Sequence, residues 1–230
     1  MLVARWFLAL CAAAVSFALA GPARAGTCHA ATYAYAGLAS RSVVHGAAVT
    51  IAPTAAPGVR DGHVAGWVGV GGYGVGPGGT DEWIQIGIIA FPDRAPAIYY
   101  EVTQPGKQPV RTTVRERVAV GERHRFAVVE LKRRANWWRP LLDGRPVGAP
   151  VFLPRSHAKL TAQLMGESYA GLSEGACNLY SFSFGQAALA VKPRSSWSAP
   201  RHVDLFQDAN YLLDRRSLAS FVARSAPTRP

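Results

Sequence analysis

An all-β sandwich or barrel is the fold class this sequence predicts, and three observations carry that expectation. Its 23 glycines and 16 prolines are spread along 230 residues, breaking the chain about every eight to fifteen residues. The runs between them are rich in β-branched and aromatic residues, which fit a pleated and half-buried surface. Several of these runs alternate strictly between two faces, the period of a strand. In order, strands are expected near Cys28–Leu38, Val43–Ala52, Val64–Gly71, Glu82–Ala90, Ala97–Gln104, Val110–Val118, Arg123–Lys132, Trp137–Leu142, Leu160–Tyr169 and Cys177–Phe184. Asp143-Gly144, between Leu142 and Val147, is a hairpin turn signal. Asp204–Arg224 differs: Leu205, Phe206, Ala209, Leu212 and Leu213 fall at helical spacing, so a C-terminal helix is expected, with a strand at Ser220–Ala223 as the alternative.

The first 25 residues read as an export signal. Arg5 supplies the positive start, Trp6–Ala20 the apolar stretch and Ala23-Arg24-Ala25 the cleavage site. The stretch is short for a membrane span. Residues 26–190 are then one β-domain and 191–230 a C-terminal extension, helical or irregular. A secreted protein cleaved near Ala25, without stable membrane insertion, is expected. Without Arg5 and Arg24 the formal charge of +11 becomes +9. Cys28 and Cys177 remain in the mature chain, and in an oxidising compartment they should pair.

Nine of the 25 Lys and Arg lie between Arg111 and Arg139. Such a cluster can meet a polyanion or be the wet face of strands, and no nucleic-acid partner is expected. The histidines show no metal-ligand spacing, so neither a metal site nor a cofactor is assigned. Gly74-x-Gly76-x-x-Gly79 matches a dinucleotide fingerprint in letters only, because Pro77 and a β-type run stand where a helix is needed. Gly166-Glu167-Ser168-Tyr169-Ala170 ends in alanine and lacks the strand-to-helix setting of a nucleophile elbow.

What remains is a pattern of faces. In Glu82–Ala90, Ile84, Ile86 and Ile88 share one side, and Trp83, Gln85, Gly87 and Ile89 the other. A glutamine amide among isoleucines carries four hydrogen-bond sites. Either Gln85 belongs to a structural network or it faces a groove and handles a ligand. Leu160–Tyr169 sets Thr161, Gln163, Met165, Glu167 and Tyr169 against Leu160, Ala162, Leu164, Gly166 and Ser168. Ala97–Gln104 sets Tyr99, Glu101 and Thr103 against Tyr100 and Val102, and Trp67 opposes Val68 and Val70. Strands with one apolar face and one face of aromatics, amides and carboxylates make a groove suited to an extended peptide or glycan.

The order of these motifs resembles that of the glutamic peptidases, the eqolisins. The residues that carry the likeness are Ala48-Val49-Thr50-Ile51-Ala52-Pro53, then Trp67-Val68-Gly69-Val70-Gly71-Gly72, Gln85-Ile86-Gly87, Tyr100-Glu101, Val118-Ala119-Val120-Gly121-Glu122 and Ser181-Phe182-Ser183-Phe184. Asn136-Trp137-Trp138, Val147-Gly148 and Gly166-Glu167 echo the related plant neprosins. The likeness covers roughly residues 43–186. It implies a concanavalin A-like jelly roll of two antiparallel sheets and a catalytic dyad of Gln85 and Glu167. Trp67, Trp83, Tyr99, Glu101, Gln163 and Tyr169 would then line the substrate groove. The family's acidic strand carries two acids four apart, and here the first is Gln163. If catalysis belongs to that position the chain has lost it, whereas the neprosin-like Gly166-Glu167 favours Glu167.

The resulting expectation is a secreted, monomeric, peptidase-like hydrolase acting on polypeptides. The alternative is a non-catalytic, concanavalin-like protein that binds carbohydrate through Trp67, Trp83, Trp137 and Trp138, or an envelope polyanion through the Arg111–Arg139 cluster.

Overall fold

The structure, a computed structural model, describes residues 27–192 and 196–226. The export signal expected at residues 1–25 lies outside the described residues. The elements are β1 (Thr27–Cys28), β2 (Tyr33–Val43), β3 (Gly46–Pro53), β4 (His63–Gly72), β5 (Glu82–Ala90), β6 (Ala97–Thr103), β7 (Val110–Arg115), β8 (His124–Glu130) and β9 (Trp137–Leu142). They continue with β10 (Arg145–Pro146), β11 (Val151–Phe152), β12 (Thr161–Tyr169), β13 (Gly175–Ala176), β14 (Ser181–Ala190), β15 (Val203–Gln207), β16 (Tyr211–Ser217) and β17 (Ser220–Ser225).

Two antiparallel sheets pack face to face. One has seven strands in the order β15-β2-β12-β4-β5-β6-β7. The other has eight, in the order β10-β9-β8-β3-β14-β17-β16 with β11 beside β9. This is the expected jelly-roll sandwich. The alternation read from the sequence decides which side chains meet between the sheets. Ile84, Ile86 and Ile88 are fully buried there, with Val68, Leu164, Phe126, Phe182 and Phe184. Gly66 of β4 lies beneath Phe182 of the opposite sheet, where an added Cβ would come within 2.7 Å of the ring. The absence of a side chain there sets how closely the sheets approach.

Short-range signals read from the sequence also hold. Asp143 (φ 49°) and Gly144 (φ 77°) form the β9–β10 turn, both in the left-handed region that such a two-residue hairpin loop requires. The Cys28–Cys177 disulfide is present and closes a sequence separation of 149 residues. It fastens the end of β1 beside β13, which β1 pairs. Among the described residues no helix is long and apolar enough to cross a membrane.

The C-terminal helix expected over Asp204–Arg224 is not there. That stretch forms three strands: β15 pairs β2 and forms the edge of the seven-stranded sheet, while β16 and β17 extend the other sheet from β14. Two physical reasons account for the difference. Asn210 adopts φ 70°, which breaks the segment into a turn after Asp208. Beyond it Tyr211, Phe221 and Ala223 alternate into the core, whereas Leu205 and Phe206 of the expected apolar helix face stay exposed. Open sheet edges supplied more hydrogen bonds and burial than a lone amphipathic turn could.

Candidate functional site

The face of the seven-stranded sheet turned away from the core holds a groove of about 1080 Å³. Strand register arranges its floor in rungs. Gln163, Gly69, Gln85, Glu101 and Arg111 are successive cross-strand partners on one rung. Met165, Trp67, Gly87 and Tyr99 form the next on the same face, followed by Tyr35, Glu167, Ala65 and Ile89. The small residues matter here: at Gly69 and Gly87 the neighbouring strand lies so close that an added Cβ would come within 2.8 Å and 2.1 Å of it.

Every expected groove residue except Tyr169 lines this depression. Tyr169 sits at the end of β12 and packs against Tyr33 (ring centroids 4.6 Å apart) and His63 (5.6 Å) instead. It supports the groove's end wall because it is the last residue of its strand. Tyr33, Tyr35, His63 and Arg111 line the groove as well. Reading the strands in isolation could not find His63 or Arg111, which reach the floor from strand ends.

Glu167 is buried, and both its oxygens are engaged. Oε2 accepts a hydrogen bond from the Trp67 indole N–H at 2.9 Å, and Oε1 lies 2.9 Å from His63 Nε2. These two partners fix the direction of the carboxylate. Gln85, also buried, donates from Nε2 to the Tyr99 hydroxyl at 3.0 Å. Its second amide hydrogen and its carbonyl have no such bond to Glu167. By register the two residues stand two strands and four positions apart, about 16 Å between Cα atoms on a flat sheet. Both line the same groove, with the Trp67–Gly87 rung between them.

A second carboxylate lies nearer to Gln85. Glu101 is its direct cross-strand partner and accepts from the Trp83 indole at 3.3 Å. Burial, and then the negative charge of Glu167, raise the Glu101 carboxyl above its ordinary range. The same two causes, in the same order, push the Tyr33 phenol up to about 12 and raise Tyr99 far beyond its usual value. Glu167 is thus the charge that Tyr33, Tyr99 and Glu101 have in common. Gln163 donates from Nε2 to the Gly71 carbonyl at 2.9 Å, which turns its amide toward the β4 end.

Chemically, the groove offers a braced carboxylate, a carboxyl that keeps its proton to higher pH, and an amide, all flanked by aromatic surface. Arg111 stacks over Phe91, with its guanidinium carbon 4.6 Å from the ring centroid. The basic cluster read from the sequence does not gather into one patch. Arg111 and Arg115 belong to β7 in the seven-stranded sheet, whereas Arg125 and Arg139 belong to β8 and β9 in the other.

A second constellation lies away from the groove, where His45, Glu130 and His157 converge. Their separation in sequence, across the β2–β3 turn, the end of β8 and the β11–β12 loop, hid this grouping from any motif search.

No family model matches the chain, and no curated protein matches it in sequence. Solved structures do. Scytalido-glutamic peptidase bound to a peptide-based transition-state analogue superposes with a TM-score of 0.58 at 13% identity, covering 84% of this chain and 98% of that one. SCP-B, described as a member of the eqolisin family in complex with the tripeptide Ala-Ile-His, gives 0.57 at 13% identity with the same coverage. The chain thus has the fold of the glutamic peptidases, and at such identities the likeness is one of fold.

Proposed function

We propose that this protein is an exported hydrolase that cleaves polypeptides in the groove of the seven-stranded sheet. The observation that carries the reading is the convergence of Gln85, Glu101 and Glu167 on one groove floor, with Glu167 braced by Trp67 and His63. Solved structures of like fold hold a peptide-based transition-state analogue and a tripeptide, which supports a polypeptide as the ligand.

In this reading a peptide lies across the rungs, its scissile carbonyl above Gly87, between Gln85 and Glu167. Glu167 removes a proton from a water molecule, which attacks the carbonyl carbon. The free N–H of the Gln85 amide donates to the developing oxyanion, as a fixed dipole that strengthens in the transition state. Glu101, raised by burial and by Glu167, holds a proton for the departing amine. The aromatic rings of Trp67, Trp83 and Tyr33 supply apolar contact for substrate side chains. Export accords with the Cys28–Cys177 bridge, since disulfides persist in oxidising compartments.

The test is cleavage of a denatured protein at acidic pH, followed by mass spectrometry of the products. Wild type should produce defined peptides. Glu167→Gln should lower kcat at least about 100-fold, the lower range for loss of a general base. Cleavage by Glu167→Gln at the wild-type rate would end the assignment.

One observation favours a second reading, a groove that binds peptides without cutting them. Gln163 occupies the place of the first of the two acids in the resemblance described above, and its amide is tied to the Gly71 carbonyl. Peptide binding by a wild type that shows no turnover at any pH would select this reading.

A further inference from the structure

We propose that His45, Glu130 and His157 form a zinc site that is independent of the groove. His45 Nδ1 stands 2.6 Å from Glu130 Oε2, and His157 Nδ1 stands 2.8 Å from Glu130 Oε1. One ligand atom from each residue falls within 4.8 Å of the other two. Two imidazole nitrogens and a carboxylate are the ligand chemistry of zinc sites that keep one position open.

The surroundings make this a built site rather than a chance encounter. The side chains of Glu130 and His45 are only 4% and 9% exposed. Backbone bonds hold the three carriers: the Glu130 N–H donates to the His45 carbonyl at 2.9 Å, and the His157 N–H donates to Asn136 Oδ1 at 2.8 Å. The Asn136 N–H in turn donates to Glu130 Oε1 at 2.9 Å, a contact outside the ligand triangle that orients the carboxylate. The cluster opens into a separate cavity of about 320 Å³, which Trp197, Lys132 and Lys192 also line. A fourth ligand, water or a small anion, can enter from there. The two lysines favour an anion.

Without metal, each histidine shares a proton with Glu130 through Nδ1. On loading, each ring's hydrogen relocates from Nδ1 to Nε2 by exchange with water, which frees both Nδ1 lone pairs for the ion and leaves the number of ring hydrogens unchanged. Zinc bonds of about 2.0–2.2 Å in a tetrahedral arrangement set neighbouring ligand atoms about 3.3–3.6 Å apart, so each imidazole nitrogen draws back from the carboxylate by roughly 0.5–1 Å from its metal-free position at 2.6 or 2.8 Å.

The experiment uses tag-free protein stripped with chelator and titrated with zinc chloride. We expect one equivalent retained after dialysis, with a thermal midpoint raised by about 5 °C at saturating zinc. His157 is 46% exposed on its side chain, so its replacement should leave the fold intact, as circular dichroism will show. His157→Gln offers an amide donor to Glu130 but is a poor zinc ligand. It should keep the metal-free stability and weaken zinc binding at least about tenfold. Glu130→Gln should do the same to binding. No zinc retained by wild type, or equal retention by wild type and both variants, overturns the proposal. Peptide cleavage is not part of the readout, so failure here leaves the groove reading untouched.

Discussion

Glu82 shows how one residue can carry a cost in this fold. It is fully buried beside the apolar row of β5, and neither carboxylate oxygen has a hydrogen-bond partner. Burial raises its carboxyl from 4.5 to about 7, with Arg155 opposing the rise. A carboxyl whose folded pKa lies above its unfolded value binds more protons when folded. Its contribution to stability is therefore greatest below pH 4.5 and is lost as pH climbs through about 7. Glu82→Gln removes the titration and keeps the shape. Urea denaturation should find wild type and variant about equally stable near pH 4, and the variant about 1–2 kcal/mol more stable near pH 8, after allowing for solvent screening. A difference that does not change with pH would show that Glu82 finds a partner on ionising.

The residue scale is also where the sequence was most and least legible. Gln85 was open between a structural and a ligand-facing role. In the structure it has features of both, with one amide hydrogen spent on Tyr99 and the other side of the amide toward the groove. Glu167 was placed on the correct face by alternation alone, yet its bracing by His63 and Trp67 depends on which strands become neighbours. No local pattern encodes that. His45, Glu130 and His157 were invisible for the same reason.

Among elements, β5 was read almost to the residue, because its isoleucines alternate and face a core that rewards that period. The C-terminal segment was misread because five apolar residues happened to satisfy a helical period, while the deciding factors were a turn at Asn210 and two vacant sheet edges. Propensity over so short a window is weak beside tertiary pairing. The β4–β5 pair yields a prediction at this scale. An added Cβ at Gly87 would lie 2.1 Å from the Gly66 carbonyl oxygen and 2.6 Å from Trp67 Cα. Backbone must therefore move, and Gly87→Ala should cost about 1–3 kcal/mol in chemical denaturation. It should also disturb Trp67, and with it the hydrogen bond that orients Glu167. Full stability together with unaltered tryptophan fluorescence would show that this close approach is not needed.

For the molecule as a whole, the two sheets divide the work. The inner faces supply the apolar core, and the eight-stranded sheet, the disulfide and the close seat of Gly66 under Phe182 hold the seven-stranded sheet in place. The outer face of that second sheet is then free to carry buried charge and amide groups that no core would tolerate. The proposed reaction requires a polypeptide on this outer face with its reacting carbonyl between Gln85 and Glu167. The most direct measurement is a crystal structure of the protein with a peptide carrying a tetrahedral hydroxyl at the scissile position. We predict that hydroxyl within hydrogen-bond distance of the Glu167 carboxylate and the Gln85 amide, with the peptide running across Trp67. A peptide bound on the other sheet, or along the groove with its tetrahedral centre beyond reach of both side chains, would rule out catalysis by Gln85 and Glu167.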